Sequence, residues 1–389
     1  MALVSRRWLL NAATVAVLMA TIVVVWKWED IQRLRTVNSL FAEENIVHNF
    51  SHMDGAFLHA QLTAPQQQAA ALINDPKTLP DLNAWVRERS LTSLVVLKDG
   101  KLAFEEYYQG TQAEDRRISW SIAKSYLSAL MGVLVEEGAI NSIDDPVTTY
   151  LPGLEGRAYD GASIRDVLQM ASGVEFNEDY LDPKSDINKM GRALALGGSM
   201  DDYAAGFRKR DREPGAEWKY VSIDTHVAGM VIRAATGKSV IELLDEKIMQ
   251  PLRLEQNPYY LTDGYGVAFV LGGLNMRTRD YARFGQMFLQ KGEWHGQQVV
   301  PEAWVLESTA PSSPTKEGSI QYGYQWWVPA DAEEGEYFAR GIYGQYVYVN
   351  TANNVVIAMT AADRNFRDKE AHPQNLAMFR EIVASLNEH

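Results

Sequence analysis

The 389-residue chain contains no cysteine. That absence excludes disulfides, a thiolate nucleophile, cysteine-ligated zinc and a lipidated N-terminal cysteine. Histidine is scarce: His48, His52, His59, His226, His295, His372 and His389 are the full set, and they form no ligand-spaced metal cluster. Neither a metal nor a cofactor is expected. The chain also lacks an H-E-x-x-H helix and a G-x-S-x-G elbow, so zincins and α/β-hydrolases have no starting motif. Positive charge is in deficit, with 37 Lys and Arg against 50 Asp and Glu for a formal charge of −13. Phosphate binding needs clustered cations, which rules out nucleic acid as the expected partner. No internal repeat is evident.

What is present begins with Ser121-Ile-Ala-Lys124. On a helix, residues i and i+3 share a face, so the Lys124 amine can reach the Ser121 hydroxyl and make a nucleophile without histidine. If Ser121 also opens the helix, its N–H is an unpaired donor at the positive end of the dipole, half of an oxyanion hole. The run Tyr126 to Val135 is apolar nearly all round and closes on Glu136, Glu137 and Gly138, as a buried central helix does. A lysine of ordinary pKa, ~10.4, is a poor base near neutrality and needs burial or a partner to share the proton. Tyr220, in Glu213-Pro-Gly-Ala-Glu-Trp-Lys-Tyr-Val-Ser222-Ile-Asp224, offers one; the plainer reading is a core aromatic with a hydrogen-bonded hydroxyl. His226, close by in sequence, is read as packing beside the site. Further on, Tyr337 to Asn350 reads as an edge strand interrupted by two glycines, Gly341 and Gly344. A strand glycine marks close approach by a ligand or another backbone. The N–H of Ile342 would then complete the oxyanion hole, the alternative being an ordinary β-bulge.

These residues resemble the serine β-lactamase and penicillin-binding superfamily, in its branch of class C-like esterases and 6-aminohexanoate-dimer hydrolases. The resemblance runs from about Leu91 onward. It extends to Asp144–Leu154, Ser163–Gly173, Gly272–Gln286, Gly292–Trp304 and Tyr322–Val328. It implies an α/β (α+β) fold: an antiparallel sheet flanked by helices, with an inserted helical subdomain. Strand-like segments at both ends of the chain around a long helical middle point the same way. Two departures bear on substrate. Where β-lactam-recognising members carry Lys-Thr-Gly or His-x-Gly, this chain has Ala339-Arg340-Gly341, in which Arg340 could replace the missing cation only if it faces the cleft. The usual asparagine two residues after the tyrosine is replaced by Ser222. Both favour a plain amide or ester over a β-lactam. The resemblance also implies that Tyr180 closes over the scissile amide from a mobile loop. Asp186, in the same acidic loop, is the candidate partner for a substrate amino group, the alternative being a solvated carboxylate.

The N-terminal end reads as an address. A short basic tail, 1–7, precedes an apolar stretch, 8–26, whose ~19 helical residues at ~1.5 Å each match a ~30 Å hydrocarbon core, with tryptophans at both edges. No small-x-small cleavage site follows, which favours an uncleaved signal-anchor in the inner membrane with the lipid bilayer as partner. Arg6 and Arg7 before the span and Lys27, Arg33 and Arg35 after it leave the charge bias undecided. An extracytoplasmic enzyme domain is expected on family grounds. Residues 27–90 read as a stalk with short helices and 91–389 as the hydrolase domain. Within it, Leu91–Leu97 and Leu102–Tyr108 form a hairpin on Asp99-Gly100, Tyr346–Asn350 and Val355–Thr360 form a second, and an amphipathic helix runs from about Pro373 to Leu386. The expected activity is cleavage of a small amide or ester through an acyl-serine. The alternatives are a cell-wall D-alanyl peptidase or β-lactamase-type enzyme, and a non-catalytic binding protein.

Overall fold

The computed structural model describes residues 2–26, 28–63, 69 and 71–388. Pro65 and the Gln66–Gln68 run of the expected stalk lie outside the described residues, as do Lys27 and the side chains of Arg6 and Arg7. The strands that organise the molecule are β1 (His59–Gln61), β2 (Leu91–Lys98), β3 (Lys101–Tyr107), β4 (Arg117–Ile118), β5 (Tyr259–Leu261), β6 (Leu274–Met276), β7 (Gln321–Tyr322), β8 (Trp327–Val328), β9 (Glu336–Gly341), β10 (Gln345–Asn350) and β11 (Val355–Ala361). The principal helices are α1 (Ala2–Trp26), α2 (Trp28–Asn38), α3 (Ile122–Glu136), α4 (Asp186–Ala195), α5 (Ser222–Thr236), α6 (Thr278–Leu289) and α7 (Ala371–Asn387).

Both expected hairpins form. Asp99 and Gly100 take φ of 50° and 74°, the positive pair that a two-residue turn needs to match the twist of its strands. A seven-stranded antiparallel sheet runs β3-β2-β11-β10-β9-β8-β7, so the two ends of the chain meet at the β2–β11 pair. Both faces are covered, and each strand alternates between two cores. Val95, Leu97, Val347 and Val356 face the larger core under α3 and α6. Leu94, Val96, Tyr346 and Ile357 face a smaller one, closed by α7 through Leu376, Phe379, Ile382, Val383 and Leu386. That spacing of three and four is one helical stripe, and each such side chain contributes about 1.5–3 kcal/mol on full burial. Helix α6 lies directly on the sheet: a Cβ on Gly285 would come within 2.6 Å of Val356 and 2.7 Å of Val347.

Two expectations are corrected. Tyr337 to Asn350 is not one edge strand. Tyr343 and Gly344, at φ of 60° and 86°, turn the chain, and β9 lies inside the sheet between β8 and β10. Residues 27–90 are not simply a stalk. After α2 the chain buries Leu40, Ile46, Phe50, Met53, Phe57 and Leu62 in the main core. Strand β1 then pairs with β5 in a second sheet, β1-β5-β6-β4. The folded domain therefore begins some 50 residues before Leu91. Helix α1 keeps Trp8, Leu10, Val17, Leu18, Ile22, Val25 and Trp26 exposed. Among the described residues no single helix is long and apolar enough to cross a membrane. Leu10–Trp26 and Ile31–Val37 meet that test only as a pair bent by 59°. The straight span expected over 8–26 is thus not found.

Candidate active site

Strand β4 leads into Ser121, the candidate nucleophile. Its pairing with β6 and the bond from Ser119 N–H to the Leu274 carbonyl, 2.8 Å, fix the backbone immediately before Ser121. Trp120 between them sits at φ 43°, an uncommon conformation for a bulky residue and a local strain at the point where strand becomes helix. Ser121 is the N-cap of α3.

One turn into that helix, Lys124 is buried, with Nζ 2.9 Å from Ser121 Oγ and 2.7 Å from the Leu271 carbonyl. Burial lowers its pKa from 10.5 to about 7, against a smaller opposing pull from Glu178. No carboxylate pairs with it directly, so desolvation of the ammonium dominates. The Tyr220 ring centroid is 5.4 Å from Nζ, and Tyr220 stacks on Trp327 at 5.3 Å. Burial and the Glu178 charge push the Tyr220 hydroxyl above its ordinary range, while the Ser121 and Ser222 hydroxyls pull it back.

Gly341 ends β9 against this turn. A Cβ there would lie 2.5 Å from the Ser119 carbonyl oxygen and 3.1 Å from Ser121 N. The close approach inferred from the sequence is thus backbone on backbone, and it brings the Ile342 peptide beside that of Ser121.

Two chambers open from Ser121. The first, of about 310 Å³, is largely apolar and reaches Leu40, Phe41 and Phe57 on one side and Met190 and Leu194 of α4 on another. The second, of about 280 Å³, is lined by Glu178, Tyr220, Arg340 and Arg367, with Gly341 at its edge. Tyr180 and Ile342 border both. Ser222 borders the apolar chamber. Arg340 borders the polar one, with its guanidinium 5.8 Å from the Tyr346 ring centroid.

Asp186 lines neither chamber. Its carboxylate accepts from Asn177 N–H at 2.9 Å and pairs with Lys189 at 3.2 Å. His226 is buried on α5, bonded to Asp201 at 2.8 Å. The residue that sequence reasoning missed is Glu178. It accepts from Ser222 N–H (3.0 Å), Ser222 Oγ (2.5 Å) and the Tyr180 hydroxyl (2.6 Å), tying the acidic loop to the tyrosine segment. The Asx and acidic pattern around it gave no sign of which carboxylate turns inward. Among the described residues no group of three or more His, Asp or Glu could hold a metal ion.

A strand-to-helix turn carrying serine and a buried lysine, beside a strand whose glycine packs on the serine peptide, is the arrangement of a β-lactamase/transpeptidase-like fold. A model of the Beta-lactamase family matches residues 83–378, and the chain belongs to that family. It is related to the 6-aminohexanoate-dimer hydrolase of Paenarthrobacter ureafaciens, at 31% identity over 293 residues, 72% of this chain and 74% of that one. In structure it is similar to a putative 6-aminohexanoate-dimer hydrolase from Bacillus anthracis, with a TM-score of 0.81 at 25% identity over 90% of this chain and 96% of that one. A D-stereospecific amidohydrolase from Streptomyces sp. shares the fold, with a TM-score of 0.57 at 21% identity over 72% of this chain and 94% of that one.

Proposed function

We propose that this Beta-lactamase-family hydrolase cleaves an amide or ester bond through an acyl-Ser121 intermediate. The observation that carries the reading is the buried Lys124 amine 2.9 Å from Ser121 Oγ with its pKa lowered to about 7. A neutral amine at that distance accepts the Ser121 proton as Oγ attacks the carbonyl carbon. The oxyanion forms against the N–H groups of Ser121 and Ile342, and charge develops where donors are already fixed. The proton then passes by way of the Tyr220 hydroxyl to the leaving nitrogen or oxygen, and the C–N or C–O bond breaks. Water, losing its proton to the Lys124–Tyr220 pair, releases the acid and restores Ser121. Lys124 is the formal base in this scheme, because burial favours its neutral form and equally disfavours a Tyr220 phenolate.

Tyr180, Ser222 and Gly341 border the substrate, with Glu178 orienting the first two. The missing lysine at Ala339-Arg340-Gly341 disfavours a β-lactam or D-alanyl substrate, and Arg340 at the polar chamber is the cation of that triplet left to meet a carboxylate. The exposed apolar side chains of α1 support anchoring at the inner membrane through residues 8–26, bent into α2, with the enzyme domain outside the cytoplasm.

Intact-protein mass spectrometry after exposure to a fluorophosphonate tests the reaction class. One label per chain, lost in Ser121→Ala, is expected. Folded wild-type protein that takes no label overturns the hydrolase in favour of a binding protein on the same fold.

A further inference from the structure

We infer that the apolar chamber beside Ser121 is an acyl-chain subsite, and that the preferred substrate is an amide or ester of an unbranched aliphatic acid of roughly six to ten carbons with a polar leaving group. This deepens the acyl-serine reading and rests on it.

The direction of binding follows from Tyr220. It lines the polar chamber and not the apolar one, so the leaving group that takes its proton departs through the polar side. The acyl group is then left in the apolar chamber. No Asp or Glu lines that chamber among the described residues. Of its polar side chains, the Asn188 amide donates to the Tyr180 and Asp182 carbonyls at 3.0 and 2.9 Å, Arg192 donates to the Pro183 carbonyl at 2.7 Å, and the buried Trp120 indole N–H, which has no partner, is a donor and offers nothing to a cation. An acyl chain ending in an ammonium would meet no counter-charge there and would be desolvated without compensation. A hydrocarbon end meets Leu40, Phe41, Phe57, Met190, Leu194 and Phe269.

Size sets the chain length. The volume of about 310 Å³ is some ten times the ~30 Å³ share of one liquid water, and a methylene is close to a water in size. The wall is held by specific contacts. Asn49 Nδ2 donates to the Ser39 and Leu40 carbonyls at 3.3 and 3.2 Å. Phe41 stacks on Tyr343 with centroids 4.9 Å apart and planes at 12°. The segment that closes the chamber is joined to the exposed apolar helix α1 through α2.

The test is a chain-length profile: kcat/KM for 4-nitrophenyl esters from acetyl to dodecanoyl, with full-length protein in lipid nanodiscs. The expected result is a rise of about fourfold per methylene to an optimum at octanoyl or decanoyl and a fall at dodecanoyl. Leu194→Trp moves the optimum to shorter chains and Phe41→Ala moves it to longer ones. Ser121→Ala, titrated calorimetrically, binds octanoate at least tenfold more tightly than 6-aminohexanoate. A Ser121-dependent activity that is flat or falling with chain length overturns the inference and leaves the hydrolase intact. Binding of octanoate without any Ser121-dependent turnover does the reverse. Equal binding of octanoate and 6-aminohexanoate overturns the subsite whatever the variants do.

Discussion

Replacing Lys124 with methionine should stabilise the protein while abolishing its chemistry, and the effect should depend on pH with a sign that the buried amine dictates. The native lysine titrates at about 7, against 10.5 for the unfolded chain. At about 1.4 kcal/mol per tenfold, that difference is a cost of about 5 kcal/mol to hold the charged form in the fold. Below pH 7 both states carry the proton and the full cost is present. Between 7 and 10.5 the unfolded chain binds more protons than the native one, so wild-type stability rises with pH across that window. Methionine removes the cost but orphans the Leu271 carbonyl, a loss of about 2 kcal/mol. Lys124→Met is therefore expected to be more stable than wild type by about 3 kcal/mol at pH 6 and less stable by about 2 kcal/mol at pH 10.5, with the curves crossing near pH 9. Urea denaturation of both proteins from pH 6 to 10.5 measures it. A difference that stays constant with pH would refute a depressed lysine, and with it the case for Lys124 as the base.

Two further changes probe the same site. Glu178→Gln removes the charge that holds the Lys124 pKa up, so the rising limb of the kcat/KM profile should move to lower pH, and a limb that stays put shows that the carboxylate is electrostatically silent. Gly341→Ala puts a methyl 2.5 Å from the Ser119 carbonyl oxygen. The strand must move, at about 1–3 kcal/mol by overpacking, and kcat should fall about a hundredfold as the oxyanion donors are displaced; thermal melts and initial rates check both.

The approach of Lys124 to Ser121 and both hairpins were legible because each rests on a local rule: i and i+3 on one helix face, or a turn whose residues accept positive φ. What stayed hidden depends on packing across the chain. Glu178 and Asp186 stand eight positions apart in one acidic loop, and only the approach of Ser222 decides which of them turns inward. Strand β9 looked like an edge because its glycines suggested an interruption, whereas one of them turns a hairpin and the other admits the Ser119–Ser121 backbone. Leu40, Phe50 and Phe57 lie in turns and bends and Met53 in a three-residue helix, where no helical or strand period can show. Their burial in the main core could not be read from spacing.

The pairing of β2 with β11, Leu91 opposite Ala361, has a consequence for how the molecule is made. The central strands of the sheet are contributed by opposite ends of the chain, so the contact order is high and the loop that must close spans nearly the whole domain. During synthesis β2 and β3 emerge first and wait, with one edge of an apolar strand unpaired, until β9 to β11 follow. A nascent chain in that state is open to aggregation. It is also in the loose condition that passage across a membrane requires. A chain terminated before Val355 leaves one edge of β2 unpaired and cannot be rescued as a smaller, weaker enzyme.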